Sequence, residues 1–158
     1  ANRRSCLGLS REISMRKLLV SIDGQSAARM QSAVAQAIGI YSKEPVDIHL
    51  LNVQPGVSGH VAMFFDAAEL REIHDTAAQE ALAPAVALLA AAGITCSTST
   101  VIGRNAPSIA MQAQRLGCDR IIIGRDDGES LVNRMFGNLI SQVQQIVGAT
   151  GNCQVLGS

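Results

Sequence analysis

The chain has 158 residues, 47% of them hydrophobic, a size that suits one compact domain with a substantial core. Its 13 basic and 13 acidic residues cancel to a formal charge of zero, so no general field draws it to nucleic acid or to a membrane surface. With no Trp, one Tyr and three Phe it also lacks stacking platforms for single-stranded nucleic acid, which leaves small molecules and proteins as its partners.

The first fourteen residues, ANRRSCLGLSREIS, hold no sustained periodicity. They read as a disordered lead-in or an added remnant ahead of a domain at 15–158, and Arg3, Arg4 and Arg11 read as solvated charges. Cys6, Cys96, Cys118 and Cys153 are scattered, without the spacing of a zinc site or a disulfide framework, which suits a reduced, cytoplasmic setting. No apolar run is long enough to span a bilayer, and the N-terminus lacks the continuous apolar stretch of a signal peptide.

From residue 17 the pattern alternates between two periods. Residues 17–22 form a short apolar run that ends in Asp23-Gly24, and Ala27, Met30, Val34, Ala37 and Tyr41 then recur at helical spacing. After the Glu44-Pro45 break, Val46, Ile48, Leu50, Leu51 and Val53 read as a second strand closed by the Gln54-Pro55-Gly56 turn. A long helix is expected from about Asp66 to Ala92, kinked at Pro84 and stopped by Gly93. Ile94 to Ile102 is a third strand, and its Thr95, Ser97, Thr98, Ser99 and Thr100 are too polar for burial on both faces, which places it at a sheet edge.

Asn105 is positioned to cap the next helix, with Pro107 in its first turn and Gly117 at its end. Asp119 to Ile123, with three consecutive isoleucines, is the central strand. Met135, Leu139, Val143 and Ile146 mark a last helix, and Cys153 to Leu156 a final strand. Repeated strand and helix units predict an α/β fold with a parallel sheet covered on both faces. In such a sheet, ligands bind beyond the carboxyl ends of strands where the strand order reverses, which singles out Asp23 and Gly124.

The segments KLLVSIDG, HLLNV, GRNAPSIAMQAQRLGCDRIIIG and NCQVL, with the glycine-bearing loop between the last two, resemble the universal stress protein family across residues 16–156. The resemblance implies a Rossmann-like, doubly wound domain with five parallel strands in order 3-2-1-4-5. It also implies an adenine nucleotide, ATP or AMP, at the neighbouring ends of strands 1 and 4. Asp23 matches the family's acidic residue near the adenosine, with helix capping as the other use for an Asp there. Val53 matches the valine whose backbone meets adenine, and Ser21 and Ile22 line the same wall.

ATP-binding members resemble one another in a loop pattern after strand 4, Gly-x2-Gly-x9-Gly-Ser/Thr. Gly124 and Gly137 match its first and third glycines, and Leu139, two residues beyond Gly137, joins the implied binding residues. Asp127 stands at the second glycine and Asn138 at the Ser/Thr position. Asn138 keeps a side-chain donor and is a good capping type, whereas the Asp127 carboxylate repels phosphate unless Mg2+ bridges or the loop shifts onto Gly128. Arg125 offsets that charge or pairs with Asp126. A shorter phosphate suffers less from Asp127, which favours AMP over ATP.

Neither a Rossmann fingerprint nor a P-loop occurs. Ser130 lacks the second glycine of a nucleophile elbow and any late histidine to serve as its base, so no catalytic site is expected, and at most weak ATP hydrolysis. His60 and His74 around Asp66 fit no metal-ligand spacing, and His74 reads as a surface or core-edge histidine. Asp126-Asp127 is either a solvated turn or a Mg2+ seat beside a nucleotide. The resemblance further implies a homodimer through the last strand, although Cys153-Gln154-Val155-Leu156 ends at once in Gly157-Ser158. Two functions follow: a nucleotide-binding regulator of the stress response with unknown protein partners, or a dimeric interaction module of the same family that binds no nucleotide.

Overall fold

The structure, a computed structural model, describes residues 16–24, 26–56, 59–124, 131–150 and 153–157; of 61–62, 131–138, 149–150 and 157 it describes the backbone alone. The elements run β1 (Arg16–Ser21), α1 (Ala27–Lys43), β2 (Val46–Gln54), α2 (Gly59–Ala62), α3 (Ala67–Ala91), β3 (Cys96–Ile102), α4 (Asn105–Leu116), β4 (Arg120–Ile123), α5 (Leu131–Thr150) and β5 (Gln154–Gly157). The strands form one all-parallel sheet in the order β3-β2-β1-β4-β5, as expected.

Alternation along β1 builds both halves of the core. Leu18 and Val20, with Ile22 beyond the strand, pack with Ala33, Val34 and Ala37 of α1 and with Leu82, Ala85 and Leu89 of α3. Leu19 points the other way and joins Ile109 and Ala113 of α4 and Val143 and Val147 of α5. Because each central strand is covered on both faces, its sequence is a continuous apolar run. The polar β3 lies at one edge, as its composition required.

Several local expectations shift. In α1 the buried face is Arg29, Ala33, Val34 and Ala37, while Ala27 and Tyr41 face outward. The β3 ladder starts at Cys96, not Ile94; Ile94 is instead buried, its N–H bonded to the Leu89 carbonyl to close the turn after α3. Helix α4 begins at Asn105, with Arg104 in the capping position and no side-chain cap, and its second residue, Ala106, is buried. Pro84 lies on the exposed side of α3, which continues through it. Asp66 and Glu69 form a reciprocal capping box at the start of α3.

Helix α5 starts at Leu131, so Gly137 and Asn138 fall inside it and Asn138 cannot be its N-cap. Leu131, Met135 and Leu139 recur at helical spacing and carry the helix across Gly137, whose cost in a helix interior is only about 1 kcal/mol. Residues 1–15, with Arg3, Arg4, Cys6 and Arg11, lie outside the described residues, as do Arg125, Asp126, Asp127, Gly128 and Ser130. Among the described residues no helix is long and apolar enough to cross a membrane.

Candidate functional site

At the strand-order reversal, Ser21 of β1 is paired in register with Ile123 of β4, and just beyond the two strand ends Asp23 and Gly124 border one narrow space. A buried amide fixes how the chain leaves β1. Asn52, fully buried in an apolar stretch of β2, donates from Nδ2 to the Ile22 carbonyl at 2.7 Å, while the Ile22 N–H bonds the Leu51 carbonyl at 2.8 Å. Gln54 holds the Asn52 side chain in turn, with Nε2 2.5 Å from its Oδ1. Gly24 then turns the chain at φ 76°, a conformation that L side chains rarely adopt, and a Cβ there would come within 2.7 Å of the Ala81 Cβ.

Asp23 does not cap α1. That task falls to Ser26, whose hydroxyl accepts the Arg29 N–H at 3.2 Å. Asp23 instead meets the Arg29 side chain, with its Oδ2 2.9 Å from Nε and 2.8 Å from a terminal nitrogen. The Arg29 side chain is only 6% exposed and that of Asp23 24%, so the pair is largely withdrawn from water. Beneath it Gly124 presses on the Arg29 backbone: a Cβ at 124 would lie 2.2 Å from the Arg29 carbonyl oxygen.

Two spaces open around these residues. The wider, about 590 Å³, is bounded by Asp23, by Val53 to Gly56 at the exit of β2, and by Gly103, Arg104 and Asn105 at the start of α4. The narrower, only about 10 Å³, lies among Ser21, Asp23, Arg29, Met30, Ile123, Gly124 and Leu139, and Asn105 borders both. Val53 faces the wide cavity while packing into the core under α4. Ile22 is buried against α1 and α3 and borders neither space. Gly137 and Asn138 belong to α5.

Sequence reasoning passed over Arg29, Asn52, Gly103 and Arg104. The signals were a charged residue in line with the buried Ala33 and Ala37 of α1, an Asn inside an apolar strand, and the residues just ahead of a helix start beside the reversal. His74, buried on α3, lies with Nε2 3.3 Å from the Pro55 carbonyl and so braces the cavity rim; because a carbonyl only accepts, Nε2 carries the proton. Among the described residues no three His, Cys, Asp or Glu side chains converge as metal ligands would.

An open parallel sheet with a ligand-sized crevice at its switch point defines a doubly wound α/β protein. The sequence profile of the universal stress protein family matches residues 15–153, and the chain belongs to that family. Solved structures share its fold. One is a universal stress protein from Archaeoglobus fulgidus in complex with dAMP, at TM-score 0.60 and 17% identity, covering 90% of this chain and 96% of that one. An Arabidopsis thaliana family protein with AMP bound matches at TM-score 0.59 and 15% identity, over 90% of each chain. A universal stress protein in complex with cAMP matches at TM-score 0.64 and 18% identity, covering 90% of this chain and 96% of that one. Comparison with curated proteins gave no match.

Proposed function

We propose that this protein binds an adenine nucleotide, ATP or AMP, in the crevice beyond β1 and β4 and acts as a cytoplasmic regulator of the stress response. The observation that carries this reading is the cavity of about 590 Å³ bounded by both Asp23 and Val53, since ligand pockets commonly measure about 300–1,000 Å³. Similar folds hold AMP, dAMP and cAMP. Asp23 accepts hydrogen bonds from the ribose or adenine, the Val53 backbone meets the base, and Ser21 with Leu139 closes the inner wall. Gly124 starts the loop toward the phosphates, where Arg125 offsets Asp127 and Mg2+ bridges if ATP is the ligand. Occupancy changes a surface read by protein partners, with at most weak hydrolysis, and the protein forms a homodimer through β5.

One observation favours the second reading, a dimeric interaction module without nucleotide. Gly137 and Asn138 lie inside α5, where backbone amides are engaged in helical hydrogen bonds and do not cradle a phosphate. Calorimetric titration of nucleotide-stripped protein with ATP and with AMP, each with and without Mg2+, separates the two. Saturable binding supports the nucleotide reading. Binding by an Asp127→Gly variant alone turns the assignment to the interaction module.

A further inference from the structure

Within the crevice the charges are unevenly matched. Among the described residues Asp23 is the one acidic side chain on the wall of the wide cavity, and it faces the Arg29 guanidinium at 2.8 Å. Arg104 borders the same cavity, is exposed, and its guanidinium makes no ion pair or hydrogen bond among the described residues. With the Asp23 charge balanced by Arg29, Arg104 leaves the described part of the wall net positive at the turn from β3 into α4. That turn is held in place: the Gly103 N–H bonds the Gln54 carbonyl at 2.9 Å, so the backbone from which Arg104 projects is tied to the end of β2. Asn105, beside Arg104, reaches both the wide cavity and the narrow space under Gly124.

A nucleotide in this cavity needs a cation for its phosphate, and the pattern after β4 supplies less than usual, with Gly137 and Asn138 inside α5 and Asp127 in the loop sequence. We infer that Arg104 is the phosphate-selecting residue of the crevice, making it prefer adenosine monophosphate to bare adenosine. This rests on the nucleotide reading above. A guanidinium suits the task because it is always charged and offers a planar fork of donors to phosphate oxygens. Its exposure makes the preference sensitive to salt.

The test is calorimetric titration of the full, nucleotide-stripped chain with adenosine and with AMP, for the native protein and for Arg104→Ala and Arg104→Lys, with circular dichroism to verify folding. The native chain should bind AMP more tightly than adenosine. Arg104→Ala should weaken AMP roughly tenfold and leave adenosine unchanged, in line with loss of one charge-assisted contact. Arg104→Lys should recover part of the loss, and raising ionic strength should narrow the AMP to adenosine ratio of the native chain alone. If adenosine binds and Arg104→Ala leaves the ratio unchanged, the role of Arg104 is wrong while the nucleoside crevice stands. If neither ligand binds the native chain, both fail.

Discussion

The Arg29 carbonyl and Gly124 meet so closely that the hydrogen at 124 cannot become a methyl group: a Cβ there would sit 2.2 Å from the carbonyl oxygen and 2.9 Å from its carbon. Both partners are backbone, one in the first turn of α1 and the other at the end of β4, so neither yields by rotating a side chain. Glycine at 124 therefore serves the seating of α1 on the sheet before any contact with a ligand. Gly124→Ala should lower stability by about 3 kcal/mol, the upper end for overpacking a tight site, visible as a reduced urea midpoint in protein free of nucleotide. A midpoint equal to the native one would show that α1 can slide away at little cost.

The Asp23 and Arg29 pair is asymmetric in burial, and the asymmetry predicts unequal costs. Asp23→Ala removes the carboxylate 2.8 Å from a guanidinium that is only 6% exposed. Arg29→Met keeps the apolar stem and leaves a carboxylate that is 24% exposed and can turn to water. Removing one partner of a buried pair is costly because of the charge left behind. Asp23→Ala should cost about 3 kcal/mol and Arg29→Met roughly half that, measured by urea unfolding without ligand. The reverse order would mean that the pair owes its stability to packing of the Arg29 stem.

The edge place of β3 and the central place of β4 were legible in composition, whereas the full strand order came from the family resemblance. The three isoleucines of β4 and the Ser/Thr run of β3 declare centre and edge by the water each strand tolerates. The chemistry around Asp23 was not, because it depends on one side chain folding back across a turn. Arg29 stands on the apolar face of α1 in line with Ala33 and Ala37, and only the fold shows that Asp23 comes near enough to repay burying it. Asn105 misled too: it is a good capping residue by type, but it is the first residue of α4 and Arg104 stands in the capping position. Asn138 misled as a capping type, because the helix marked from Met135 onward begins earlier still, at Leu131, and takes Asn138 into its interior.

His49 gives the fold a pH dependence with a definite sign. Its Nδ1 lies 2.7 Å from the Ser97 hydroxyl and its Nε2 2.7 Å from that of Ser99, across the β2 and β3 register. Burial, and after it the Lys17 charge, hold the imidazole pKa below its ordinary value; Asp47 borders the same cavity but does not reverse the shift. The unfolded chain therefore takes up the proton first as pH falls. The contribution of neutral His49 is complete above the unfolded pKa, about 6.5, and is lost as pH drops from there toward the folded value. Urea midpoints should fall between about pH 7.5 and 5.5 in the native chain and fall less in His49→Gln, which keeps hydrogen-bonding capacity but does not titrate. Parallel profiles for the two proteins would remove His49 as the source.

Cys118 should be the least reactive of the described thiols. It is buried where α4 gives way to β4, and burial first, then the neighbouring Cys153, push its pKa up to about 11. Only roughly one molecule in a thousand then carries the nucleophilic thiolate at pH 8. Cys96 and Cys153 are also raised, chiefly by burial, but each is partly exposed. In the native protein iodoacetamide should label Cys118 at least tenfold more slowly than it does in urea, whereas Cys96 and Cys153 should show a smaller difference. Peptide mass spectrometry over a time course reads all three positions at once. Equal labelling of Cys118 in native and unfolded protein would mean that the core between α4 and α5 opens readily, contrary to the full burial of Ile109 and Val143 beside it.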